Sequence, residues 1–90
     1  MKIAFDEAKR AWTLLERGLD FADAEDIFDG PEFTQRDDRF DYPEPRFQTY
    51  GRLKERLVMI AWTPISDGIH VISMRNCNDR EQRKFASKLG

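Results

Sequence analysis

RFQTYGRLKERLVMIAWTPISDGIHVISMR, residues 46–75, is the stretch that decides the fold of this chain. Residues 46–52 alternate as a half-buried strand does, with Arg46, Gln48, Tyr50 and Arg52 on one side and Phe47, Thr49 and Gly51 on the other. Residues 56–63, RLVMIAWT, are apolar at successive positions, which predicts a central strand covered on both faces. Residues 68–75, GIHVISMR, alternate again: Ile69, Val71, Ser73 and Arg75 on one predicted face, His70, Ile72 and Met74 on the other. The links LKE and PISDG have hairpin length, so the three strands predict an antiparallel meander.

Working outward, MKIAF at the N-terminus reads as a short strand. Residues 6–18 predict a helix capped by Asp6 and closed by Gly18, with Ala8, Ala11, Trp12 and Leu15 forming one apolar stripe expected to face the core. A second helix starts at Asp20, turns Phe21, Ala24, Ile27 and Phe28 inward and stops at Asp29–Pro31. Trp12, Phe28, Leu57 and Ile60 are expected to be well buried. EFTQRDD, residues 32–38, suggests a short strand, and RFDYPEP after it is a loop, because two prolines in three residues cannot continue a sheet. Beyond Arg75, Asn78 and Glu81 have the spacing of a capping box. They predict a last helix with a thin apolar stripe, Phe85 and Leu89, and a basic surface of Arg80, Arg83, Lys84 and Lys88. The expected fold class is α+β: strand, two helices, a run of antiparallel strands and a C-terminal helix, with the two N-terminal helices packed on the sheet. One domain is expected over residues 1–90.

Composition narrows the function. Charged residues make up 36% of the chain and aromatics 12%, so it is very polar yet has rings enough for a modest core. No apolar run approaches the roughly 20 residues of a membrane span, and Met1 opens onto a strand-like stretch, so a cytoplasmic protein with no membrane partner is expected. Cys77 is the only cysteine and His70 the only histidine, which leaves no internal disulfide, no cysteine-based zinc site and no expected metal or cofactor. Glycine-rich phosphate loops, HExxH, CxxC and nucleophile elbows are all missing. The net charge of −2 conceals an asymmetry. Residues 1–45 hold six Lys/Arg against thirteen Asp/Glu, a net of −7; residues 46–90 hold nine against four, a net of +5. Either the basic half meets an anion, or the halves neutralise each other.

The residues left to carry chemistry are arginines on strands. If Arg75 projects to the same side as Arg46 and Arg52, the open side of the sheet is cationic, with Tyr50 available for stacking. Single-stranded RNA is bound by that combination, guanidinium to phosphate and ring to base. The alternative is a set of ordinary solvated arginines paired with Glu44 or Asp67.

The order and spacing of further residues resemble the BrnT toxins. The family's opening, approximately F-x-W-D-x-x-K-x-x-x-N-x-x-K-H-G-V-x-F-x-x-A-x-x-V-F-x-D-P, is matched by Phe5, Asp6, Lys9, Gly18, Phe21, Ala24, Phe28 and Pro31. Its E-x-R-[FY]-x-x-x-G is met by Glu44, Arg46, Phe47 and Gly51, and its I-I-S-A-R-x-A-[TS]-x-x-E is echoed by Val71, Ile72, Ser73, Arg75 and Glu81. The resemblance implies a type II toxin of RelE-like ribonuclease fold that cleaves RNA without metal and arrests growth. It also implies a BrnA-like antitoxin of ribbon-helix-helix type, through which alone the toxin meets promoter DNA. The chain departs from the pattern at Glu16-Arg17 in place of K-H, at Met74 in place of a small residue and at Asn76 in place of Lys or Arg. These departures keep a second reading open, an inactive relative that binds antitoxin and co-represses.

Metal-free RNA cleavage needs a proton acceptor for the 2′-OH, cations for the charged phosphorane-like state and an acid for the leaving oxygen. Arg75 and Arg52 are the candidates for charge stabilisation, with Arg46 third. Tyr50, Ser73, Lys9 and Arg83 are candidate RNA contacts. For the base, Glu44 and His70 both stand open, although simple alternation points His70 away from Arg75.

Overall fold

The structure, a computed structural model, describes residues 1–89. Its elements run β1 (Lys2–Ala4), α1 (Glu7–Arg17), a 3₁₀ turn (Phe21–Asp23), α2 (Ala24–Phe28), β2 (Glu32–Arg36), β3 (Phe47–Leu53), β4 (Arg56–Ile65), β5 (Gly68–Asn76), α3 (Asp79–Phe85) and a closing 3₁₀ turn (Ala86–Lys88). One sheet of order β1-β5-β4-β3-β2 holds all five strands, and β2 to β5 pair antiparallel as expected. RLVMIAWT is the middle strand. The sheet is nevertheless mixed, because β1 lies parallel to β5, with Ile3 opposite Ile69. No helix among the described residues is long and apolar enough to cross a membrane.

Local signals work where they are strictly local. Asp6 accepts from the backbone N–H of Ala8 and Lys9 and caps α1, while Gly18 ends it at φ 68° in the left-handed region. Asn78 and Glu81 form the reciprocal capping box. The two-residue β3–β4 turn puts Lys54 and Glu55 at φ 51° and 69°. That suits the twist of a hairpin but strains residues other than glycine or asparagine.

Alternate residues of β4 feed two cores. Val58 and Ile60 join Leu19, Phe21, Ile27, Val71 and Met74 under α2 and the first 3₁₀ turn. Leu57 and Met59 join Tyr50, Cys77, Phe85 and Leu89 under α3. Helix α2 presses directly on β3 at Gly51, where a Cβ would fall 2.6 Å from Ile27 Cγ2, so only glycine fits without a shift. Leu57 and Ile60 are buried as expected, but Phe28 is only partly covered and Trp12 is 53% exposed. The apolar stripe of α1 faces outward: Ala8, Ala11, Trp12 and Leu15 are all exposed, and the helix buries Thr13 instead.

A bulge corrects the alternation expected for β5. Ala61 pairs with Ser73 but Trp62 pairs with Val71, so Ile72 is extra. Cross-strand partners share a face. Ile69, Val71 and Met74 therefore look toward the α2 side, and His70, Ser73 and Arg75 share the α3 side. His70 is thus on the Arg75 face, not the opposite one.

Candidate functional site

Register aligns Phe33, Tyr50, Met59 and Arg75 in one row across the α3 face, and Gln35, Gln48, Ala61 and Ser73 in the next. Arg75 and Ser73 do project to the side of Arg52, as the expectation required. That side is not open. Phe85 of α3 stacks on Tyr50 with ring centroids 3.9 Å apart and lies 5.4 Å from Phe33. Tyr50 is only 4% exposed, so its ring is occupied by the protein and unavailable to a base. Burial, and next the neighbouring Glu81 charge, push its phenol above the usual tyrosine range.

The arginines are correspondingly dispersed. Arg52 is exposed two strands from Arg75 and offset by two residues, about 12 Å away by strand spacings. Phe85 and Leu89 pack over the strand residues between them. Arg46 precedes β3, six residues and about 20 Å from Arg52. It lies 3.4 Å from Glu44, with its guanidinium 4.1 Å from the Tyr42 ring centre. His70 pairs with Thr63, four β4 residues from the partner of Arg75, which separates the two by about 14 Å. Neither candidate base therefore sits beside Arg75.

Arg75 has a partner that spacing did not reveal. Its Nη1 and Nη2 donate to Glu81 Oε1 and Oε2 at 2.7 and 2.8 Å, a two-bond fork, and Nη1 also lies 3.4 Å from the Asn76 carbonyl. The fork holds the Glu81 carboxyl below the usual carboxylate range, helped by the Asn78 backbone N–H. An acid so stabilised as an anion is a poor proton acceptor. Among the described residues, Arg75 keeps Nε–H and a second Nη–H uncommitted, enough to hold a phosphate oxygen beside the carboxylate.

Beside this pair runs a cavity of about 310 Å³ between α3 and the sheet, lined by Gln35, Tyr50, Arg80, Glu81 and Lys84 among others. Arg80 and Lys84 stand i, i+4 on α3 and form a cationic rim that the strand-based search for a site missed, although their spacing was visible. Arg83 is exposed but does not line the cavity. Cys77 is buried, and burial pushes its thiol up to about 11, which keeps it inert. No group of three or more His, Cys, Asp or Glu among the described residues is arranged to hold a metal.

Lys9 and Ser73 meet elsewhere. Strand β1 pairs only with Gly68–His70, so among the described residues the outer edge of β5 from Val71 onward has no strand partner. Helix α1 lies along that edge, and Arg17 Nη1 donates to the Met74 carbonyl at 2.9 Å. A cavity of about 460 Å³ opens there, lined by Lys9, Trp12, Arg17, Phe21, Ile72 and Ser73 among others. The departure at Arg17 is therefore structural as well as chemical: it satisfies a carbonyl on an otherwise open strand edge.

Comparison with known proteins agrees with the order of these residues. No curated protein matches the chain significantly. The family model described as the ribonuclease toxin BrnT of type II toxin-antitoxin systems matches residues 5–81, a span from β1's end to the Glu81 that grips Arg75. The chain belongs to the BrnT family of type II toxin-antitoxin ribonuclease toxins.

Proposed function

We propose that this chain is an active, metal-independent endoribonuclease of RelE-like type, which cleaves cytoplasmic RNA and is neutralised by a BrnA-like ribbon-helix-helix antitoxin. The family match over residues 5–81 carries the reading. The supporting geometry is Arg75, forked to Glu81 beside a cleft rimmed by Arg80 and Lys84. Phosphates tracking the α3 rim would meet Arg75 last, where its free N–H groups stabilise the developing charge. Glu81 holds the guanidinium plane in place. Arg52, Arg46 and Arg83 are placed to attract RNA on either side of that point rather than to touch the reacting phosphate. Lys9 and Ser73 stand apart from the cleft, at the β5-edge cavity. The proposal assigns proton transfer to no residue and rests on charge stabilisation and positioning.

A second reading has its own observation. The Arg75–Glu81 fork neutralises the charge at the presumed centre, as an inactivated co-repressor module would permit. Induced expression of the chain with and without the adjoining antitoxin separates the two. Activity predicts growth arrest relieved by the antitoxin, together with RNA fragments from the purified protein in excess chelator. Normal growth and intact RNA would leave the co-repressor, whose complex would still bind promoter DNA through the antitoxin.

A further inference from the structure

Nothing among the described residues covers the apolar stripe of α1. Ala8, Ala11, Trp12 and Leu15 fall on one line of the helix surface, and Leu15 is 82% exposed. Arg17 stacks its guanidinium 5.0 Å from the Trp12 ring centre while hydrogen-bonded to the Met74 carbonyl, so the indole is held in one orientation beside the β5-edge cavity. A rigid aromatic next to an apolar hollow with cations at its margin is the make-up of an interface anchor.

From this we infer that α1 is the anchoring surface for the antitoxin, distinct from the cleft where RNA is cleaved. The occupant is an amphipathic helix of that partner, with apolar residues against Trp12, Leu15 and the hollow under Ile72 and carboxylates toward Lys9 and Arg17. The inference rests on the toxin reading for the existence of the partner. Three observations select the occupant. The apolar line spans eight residues, roughly 11 Å, which matches about two turns of a facing helix. Lys9 and Arg17 bound the hollow and are complementary to acid side chains. The stripe belongs to the half of the chain that carries a net charge of −7, with Glu7 and Glu16 exposed on the same helix, so a polyanion such as RNA is disfavoured there.

The test uses the ribbon-helix-helix protein of the adjoining reading frame, co-expressed with the full chain and titrated against it by calorimetry. Leu15→Glu and Trp12→Ala are compared with the unaltered protein, with melting and RNA cleavage followed on the same samples. Both variants are expected to fold, to retain RNA cleavage and to lose at least about 30-fold in antitoxin affinity, the size of a hot-spot loss. Growth arrest by these variants is then no longer relieved by the antitoxin. Unchanged affinity in both variants overturns the inference and leaves the toxin reading standing; failure of the unaltered chain to bind the antitoxin at all overturns both. Loss of RNA cleavage with antitoxin binding intact assigns the stripe to RNA instead. A dimer of the chain alone that Leu15→Glu dissolves assigns it to a second copy.

Discussion

Helix α3 lies on one face of the sheet and α1 along its β5 edge, and the two use their apolar residues in opposite ways. Helix α1 carries the fuller stripe, four apolar residues over two turns, and leaves all four exposed. Helix α3 offers one apolar side chain, Phe85, with Leu89 in the turn after it, and buries both to 3% and 5% exposure. An apolar period fixes which side of a helix seeks a nonpolar neighbour. It does not say whether that neighbour is in the same chain. On α3 the neighbour is the row Phe33–Tyr50–Met59; on α1 it is missing from the monomer.

That contrast gives the largest expected effect on stability. Phe85→Ala removes a ring packed on Tyr50 and Phe33 and should cost about 3–5 kcal/mol in urea unfolding, whereas Trp12→Ala, a mostly exposed site, should stay within about 0.5 kcal/mol. Equal losses would show that α1 is packed more tightly than its exposure indicates.

Acid sharpens the comparison through the ties that hold each helix. Helix α3 is tied to β5 by Arg75–Glu81, and α1 to the first 3₁₀ turn by Arg10–Asp20, whose Nε–Oδ1 and Nη2–Oδ2 contacts are 2.8 and 3.1 Å. In both pairs, hydrogen bonds from the arginine lower the carboxyl below its ordinary value, 4.5 for Glu81 and 3.8 for Asp20. The stabilisation is therefore fully present above those values and is lost as the pH falls through the lower folded ones. For Glu81 it should amount to about 1 kcal/mol once screening at the partly exposed Arg75 is allowed for. Glu81→Gln should lower stability at pH 7 and flatten its fall below pH 4.5, which denaturant titrations at a series of pH values would measure. An unaltered acid slope would mean that the fork contributes nothing.

A third effect, of similar size, is expected at the β3–β4 turn. Replacing Lys54-Glu55 by Asn-Gly relieves two residues held at positive φ and should raise stability by about 1 kcal/mol, with no change in RNA cleavage, as thermal melts and cleavage assays on the pair would show.

How far the sequence could be read follows from the range of each interaction. The central strand, the meander and the Asn78–Glu81 cap depend on neighbours within a few residues and were legible. The bulge at Ile72 was not, because no glycine or proline marks it, and one unpaired residue transfers His70 to the Arg75 face. The covering of Tyr50 by Phe85 was also hidden, since it joins residues 35 apart in sequence. Arg75 itself was singled out from the strand end, but its grip on Glu81 depends on how the chain turns between β5 and α3. The capping role of Glu81 was visible, and its second role was not. Arg80 and Lys84 were recognised as basic but not as the rim of a cleft.

The proposed action of Arg75 on RNA, at the end of the α3 cleft, is tested by the single-turnover cleavage rate of Arg75→Ala in excess chelator, with melting recorded on the same protein. Loss of the guanidinium should slow cleavage by about 100- to 1,000-fold, the scale of one transition-state donor, while the melt shows a folded protein weakened by about 1 kcal/mol through the orphaned Glu81. Full-rate cleavage by a folded Arg75→Ala protein would contradict the account and take Arg75 out of the site.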